Sequence, residues 1–316
     1  LNKKGHTIKV RIGKPISAEE YNALNTSSNL LNFVRAKTYA LGSGIELKRH
    51  FLKDIFKINK KQEEIVERVA KTDLDHFDLY YNHLFIWDKE EHRLVGSYRL
   101  GKGKDIFYGY GAKGFYLSTL FKMKKEFNPI LKESIELGRS FITKEYQTRP
   151  LSLFLLWKGI LYFLLKNPEY RYLIGPVSIS NNFSQFSSSL IVDFLIKNHF
   201  NRKLADLVTP KKKFRIKFDM LNSDILINKS STIKSLDNLI SDIEINHNKV
   251  PVLLRQYIAI NSKLIGFNVD PKFSNCLDGF LIVDVKDIPE EKIRMLSKEL
   301  VRQEEIFKRD RVVIEL

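Results

Sequence analysis

Cysteine is nearly absent from this chain of 316 residues. Cys276 stands alone, so no intrachain disulfide and no Cys-rich zinc site can form, and a disulfide-stapled secreted fold is excluded. That usage is expected of a reducing, cytoplasmic compartment. Long apolar runs are also missing. The longest, Leu151 to Leu165, is broken by Ser152, Lys158 and Gly159 and falls short of the ~20 residues that cross a bilayer. The N-terminus is basic and polar (Leu1, Asn2, Lys3, Lys4, Gly5, His6), without the apolar centre of a signal peptide. It opens on Leu1 rather than Met, as expected of a fragment or a processed product. Acidic residues are the minority: 37 against 53 Lys and Arg, a net charge of +16. That balance favours an acidic partner, whether nucleic acid, an anionic membrane surface or an acidic carrier protein. With 43% apolar residues the chain can bury a core, so global disorder is excluded, and the length allows one large domain or two.

Thr7 to Ile16 alternates as a strand and stops at a Gly13-Lys-Pro15 turn. Ser17 with Glu20 reads as a capping box opening a helix around Glu19 to Ala23. Leu30 to Ile58 reads as helical in pieces, with a boundary near residue 58, and Asn59 to Lys71 as a run of helix formers. Tyr80 to Trp87 and Leu94 to Leu100 read as strands joined by the charged turn Asp88 to Arg93, with Gly101 and Gly103 ending the second. Leu117 to Leu131 is mixed. Further strands are expected at Ser134 to Ile142, Tyr172 to Ile179, Leu264 to Val269 and Gly279 to Val285. Helices are expected at Pro150 to Lys166, apolar almost all round and hence buried or lying against something apolar, at Phe186 to Asn198 and at Ser235 to Ile243. Strands and helices alternate without repeats, so the class is mixed α/β.

Few residues sit in chemically suggestive patterns. Asp73, Asp75 and Asp78 invite a calcium loop, but the sixth position is Asp78 rather than Gly and the twelfth is Leu84 rather than Glu. They are better read as turn caps, or as acids that hold a substrate amine or an internal Arg. His83 and Asp88 have the H-x4-D spacing of glycerolipid O-acyltransferases but lie at the two ends of an apolar strand. The other histidines lack ligand spacing, so no metal is expected. Gly101 and Gly103 read as a hairpin exit rather than a phosphate loop.

In Ser134 to Ile142, Glu136 and Arg139 would face opposite sides of a regular strand. A bulge at Gly138 would bring them to one face; on a helix they would be a plain ion pair three apart. Lys211, Lys212, Lys213, Arg215 and Lys217, interleaved with Phe214, Ile216 and Phe218, read as a solvated face or an edge that meets an anionic surface. Neither a recognition helix nor a stacking pattern is evident, so nucleic acid is not expected as a partner.

Six ordered motifs then point to one family: Asp73-Leu-Asp-His-Phe-Asp78, His83-Leu-Phe-Ile-Trp-Asp88, Val95-Gly-Ser-Tyr-Arg-Leu100, Glu136-Leu-Gly-Arg139, Leu156-Trp-Lys-Gly159 and Gly175-Pro-Val-Ser-Ile-Ser-Asn181. The series resembles the amino-acid N-acyltransferases of the ornithine-lipid and glycine-lipid type. These hemolysin-like members of the GNAT superfamily are related to the autoinducer synthases. Asn268-Val-Asp-Pro271 and Leu277-Asp-Gly279 fit the branch in which this module follows a lysophospholipid acyltransferase domain, whose tail residues 7 to 16 resemble. The likeness covers residues 73 to 290. It implies a GNAT-like domain over 59–316 with a mainly antiparallel sheet flanked by helices, preceded by an N-terminal extension over 1–58.

It further implies transfer of a fatty acyl group, often 3-hydroxylated, from acyl carrier protein to the α-amine of an amino acid of glycine or ornithine type. The donor is acyl carrier protein thioester or acyl-CoA, with no further cofactor. By this resemblance Glu136 is the base, Arg139 and Arg99 organise the acids and the acceptor carboxylate, and Asp73, Asp75 and Asp78 complete the charged network. Ser178 contacts donor or acceptor, and strand N–H groups splayed around the bulge form an oxyanion hole. An acidic carrier would be steered by the positive charge, and the chain would work in the cytoplasm or against the anionic inner face of the membrane. The segment Glu63 to Thr72 departs from the family pattern, lacking a Gly-Arg-Leu-Arg stretch and a Gly-Glu-Gly loop and retaining only Arg68. The alternative is a catalytically silent module that binds carrier protein or membrane for the upstream domain.

Overall fold

The computed structural model describes residues 8–13, 75–88, 91, 93–148, 150–216, 232–297 and 314–315. The expected helices between Glu19 and Lys71, the boundary near residue 58, Arg68 and Asp73 lie outside the described residues. In chain order the elements are β1 (Ile8–Gly13), β2 (Asn82–Asp88), β3 (Arg93–Lys102), α1 (Gly103–Tyr110), β4 (Phe121–Met123), α2 (Asn128–Lys132), β5 (Ser134–Ile142), α3 (Pro150–Lys166), β6 (Tyr172–Ile179), α4 (Gln185–Asn198), β7 (Val208–Pro210), α5 (Ile233–Ile243), α6 (Val252–Ala259), β8 (Lys263–Asp270), β9 (Cys276–Asp284) and β10 (Ile314–Glu315). The chain divides into two compact units: Leu1–Gly101 with Arg139–Asn167 and Met295–Leu316, and Lys102–Gly138 with Pro168–Arg294.

In the first unit β1 runs antiparallel to β2 from Ile8↔Asp88 to Gly13↔His83, and β2 runs antiparallel to β3 with a bulge at Ile86/Trp87. The segment expected to end an upstream domain is thus a strand of this sheet. The second half of β5 lies beside β3, where the Thr143 N–H bonds the Val95 carbonyl. Leu84, Ile86, Val95 and Leu100 are fully buried. α3 packs on β2 so closely that a Cβ on Gly159 would stand 2.6 Å from a Leu84 methyl. The apolar girdle of α3 is accordingly buried on most sides, as its composition requires.

In the second unit the first half of β5 pairs in parallel with β6 from Ser134↔Tyr172 to Glu136↔Ile174. β6 pairs antiparallel with β9 along its whole length, and β9 with β8, which bulges at Leu264/Gly266. The architecture is the expected mixed α/β one, its strand pairs mainly antiparallel and its helices flanking them. α4 and α5 begin on Ser184 and Thr232, whose hydroxyls accept backbone N–H bonds, the N-cap arrangement.

Two features depart from the sequence expectation. Gly103 does not close a hairpin: it is the first residue of α1, lodged where a Cβ would meet the Leu131 carbonyl oxygen at 1.9 Å. The mixed stretch Leu117 to Leu131 contains β4, which pairs with β7 as a two-stranded sheet of its own.

Candidate functional site

In the first unit, Asp75 caps the 3-10 turn His76–Leu79. Its Oδ1 accepts the Phe77 N–H at 2.9 Å, while Asp78 Oδ2 accepts the Asp75 N–H at 2.9 Å. This is a reciprocal capping box, so the acids do cap a turn before a strand. They also hold an internal Arg. Arg99, on β3 and 1% exposed, donates from one terminal nitrogen to Asp75 Oδ1 at 2.7 Å and to Asp78 Oδ1 at 3.0 Å. Its guanidinium lies 5.0 Å from the Tyr81 ring centre and 5.5 Å from that of Phe77, within cation–π range. Burial works against the Arg99 charge, but Asp78 and Asp75 outweigh it and raise its pKa. Arg139 donates to the remaining oxygen, Asp75 Oδ2, at 3.1 Å. One carboxylate therefore bridges two guanidiniums, one sealed and one 32% exposed.

Arg139 adopts a left-handed φ of 43°. The left-handed backbone falls on Arg139, the residue after the Gly138 at which a bulge is expected. A non-glycine residue there costs of order 1–3 kcal/mol unless its surroundings hold it, and the Asp75 contact supplies such a hold.

His83 and Asp88 do not form a dyad. His83 Nε2 bonds the Asp78 carbonyl at 3.2 Å, and burial lowers the ring's pKa. Asp88 accepts from the Tyr146 hydroxyl at 2.7 Å and from the Glu91 N–H. The two lie at opposite ends of β2, about 17 Å apart along an extended strand.

The second unit holds Glu136 and Ser178. Glu136 is 1% exposed. Its Oε1 accepts the Leu117 N–H at 2.7 Å and its Oε2 accepts the Tyr116 N–H at 2.9 Å. Both oxygens thus accept main-chain donors at the start of the helical turn Leu117–Leu120.

Ser178 is exposed on β6, and its Oγ donates to Asp278 Oδ1 at 2.6 Å. In sequence Asp278 stands out only by its place in Leu277-Asp-Gly279. It is buried on β9, its carboxyl pushed up to about 6 by burial, with Asp270 adding like charge and the Ser178 bond opposing. A single acid on an apolar strand gives no local signal. Its serine lies 100 positions earlier, so only the fold brings them together.

Residues 54–158 match the family model described as an acetyltransferase (GNAT) domain. A protein of Bacteroides thetaiotaomicron named glycine N(alpha)-acyltransferase is 28% identical over 233 residues, covering 70% of this chain and 68% of that one. One of the same name from Phocaeicola vulgatus is 26% identical over 233 residues, covering 70% and 71%. A solved CoA-dependent acyl-homoserine lactone synthase with SAM and isopentyl-CoA aligns over 97% of this chain and 93% of that one, at 11% identity and a TM-score of 0.40.

Proposed function

We propose that the chain, an acyltransferase of GNAT-like fold, moves a fatty acyl group from acyl carrier protein to the α-amine of glycine or a similar amino acid, in the making of an aminolipid. The observation that carries this reading is the likeness over 233 residues to two proteins named glycine N(alpha)-acyltransferase. An ammonium has no lone pair to attack a thioester, so the acceptor must react as the neutral amine and its carboxylate must be held. Arg139 suits the holding of that carboxylate, because its guanidinium is partly exposed, is oriented through Asp75, and has the planar fork that matches a carboxylate. Arg99 is a positioning residue that fixes Asp75 and Asp78 from within the protein.

We read Glu136, expected as the base, as a positioning residue, because each of its oxygens accepts a main-chain N–H. Main-chain N–H groups of β6 suit a developing thioester oxyanion.

For the donor, the pairing of β4 with β7 gathers exposed Lys122, Lys124, Lys211, Lys212 and Lys213 on the second unit. Such a basic surface would steer an acidic carrier protein and would meet an anionic membrane equally well. No helix among the described residues is long and apolar enough to cross a membrane.

Purified protein given acyl carrier protein thioester or acyl-CoA should release thiol only when a suitable amino acid is present. A panel including glycine and ornithine names the acceptor, and mass spectrometry of the product names the acyl chain. Carrier binding without thiol release for any acceptor would overturn the reading in favour of a silent carrier-binding module.

A further inference from the structure

A carboxylate buried without a cation is costly in a protein interior, and among the described residues Asp278 is such a group. It is 3% exposed. Among the described residues no Lys or Arg forms an ion pair with it. Its register partners are Ser178 on β6 and Asn268 on β8, so a polar row crosses three strands. Along the chain that row is flanked by Val177, Ile179, Leu277, Phe267 and Val269. Packing alone would be served by three neutral polar groups. The row is also asymmetric toward solvent: Ser178 is exposed, while Asp278 behind it is sealed. The hydroxyl therefore presents an oxygen outward and gives its proton inward, along a bond of 2.6 Å.

We propose that Ser178 and Asp278 form a proton relay for acyl transfer, with Ser178 touching the attacking nitrogen and Asp278 taking the proton through it. This rests on the acyltransferase reading above. As the neutral amine bonds the thioester carbonyl carbon, its nitrogen becomes positively charged. One N–H proton passes to Ser178 Oγ while the Ser178 hydroxyl proton passes to Asp278 Oδ1, leaving a neutral carboxylic acid and an uncharged nitrogen. The C–S bond breaks with its electron pair on sulfur. The proton then returns through the same hydroxyl to the thiolate, so acid and serine end as they began. Ser178 is the catalytic residue of the pair and Asp278 a positioning residue that acts through it.

The surroundings keep Asp278 responsive near neutral pH. From β8, Asp270 faces it with like charge, and on β9 the Cys276 thiol is pushed up by burial and by both acids. From the segment after β7, Lys212 contributes its main-chain N–H to Asn268 Oδ1 and directs its ammonium to Asn275 Oδ1 at 3.4 Å.

The test is kcat and kcat/KM for the full chain between pH 5 and 9, for wild type, Asp278→Asn, Ser178→Ala and Ser178→Thr, together with intact-protein mass after mixing with donor alone. Wild type should show an acidic limb with a midpoint near 6. Asp278→Asn should lose that limb and about 10²–10⁴-fold in kcat, with the donor KM little changed. Ser178→Ala should fall similarly, and Ser178→Thr, which keeps the hydroxyl, should recover. An Asp278→Asn enzyme that keeps the limb and stays within a few-fold of wild type would overturn the relay while leaving the acyltransferase reading intact. Acyl mass trapped on the protein would overturn it in favour of a serine nucleophile. Wild type inert toward every acceptor would sink both.

Discussion

Replacing Glu136 by Gln separates a structural clamp from a base. The carboxylate offers two acceptors to two main-chain donors, Tyr116 N–H at 2.9 Å and Leu117 N–H at 2.7 Å, at a fully buried point. An amide keeps one acceptor and turns two N–H donors toward the other main-chain N–H. Hydrogen bonds to a charged group contribute roughly 1.5–3 kcal/mol, and an orphaned buried donor costs about 1–3 kcal/mol. The two overlap, so a loss of about 3 kcal/mol is expected. For a domain of this size that lowers the melting temperature by roughly 6–12 °C. Thermal unfolding by circular dichroism and urea titration measure it, with turnover followed well below the transition. A clear loss of stability with a modest loss of turnover per folded molecule is expected. An unchanged melting temperature with abolished turnover would refute it and make Glu136 the base.

Removing the sealed guanidinium by Arg99→Met leaves Asp75 and Asp78 without their internal cation, and urea unfolding should register a loss of about 3–5 kcal/mol; a loss below about 1 kcal/mol would contradict the cluster. Gly175→Ala would set a Cβ 2.3 Å from the Leu137 carbonyl oxygen, where the backbone cannot yield cheaply, so a loss of about 1–3 kcal/mol is expected in the same assay. The Asp278 carboxyl titrates near 6 in the folded chain against 3.8 when unfolded, so the native state holds the extra proton between those values. Stability must fall as pH rises through that window, by about 3 kcal/mol in all. Asp278→Asn should therefore gain on wild type in melting temperature between pH 4 and 8, and a difference that does not vary with pH would count against the shift. Arg139→Lys, which keeps charge but loses the fork, should raise KM for glycine more than it lowers kcat.

Most of the strands could be read from the sequence because alternation and β-branched density are local properties. Ser134 to Ile142 and Tyr172 to Ile179 match their strands end to end, and Pro150 to Lys166 matches its helix. α1 could not be read: it carries glycine at both Gly103 and Gly109 and lacks a side-chain cap. What secures it is the seat of Gly103 against the Leu131 and Ser134 carbonyls, a tertiary fact. β4 and β7 are three residues each, too short for any periodicity. At Gly138-Arg139, composition shows which residue tolerates a left-handed backbone, whereas the fold decides which one is placed there. Asp75, Asp78, Arg99 and Arg139 were nameable by motif, and the structure brings all four into one bonded cluster. Asp278 falls within the motif Leu277-Asp-Gly279, but its pairing with Ser178 comes from a strand neighbour far away in sequence.

The chain passes from one compact unit to the other four times, after Gly101, Gly138, Asn167 and Arg294. Neither half is therefore a continuous stretch that could be excised and expressed, and one of the crossings falls inside β5 itself, between the residue that clamps a loop and the residue that reaches Asp75. Any splice that traded one unit for another would sever that ribbon, so exchanging a unit means cutting and rejoining the chain at several points.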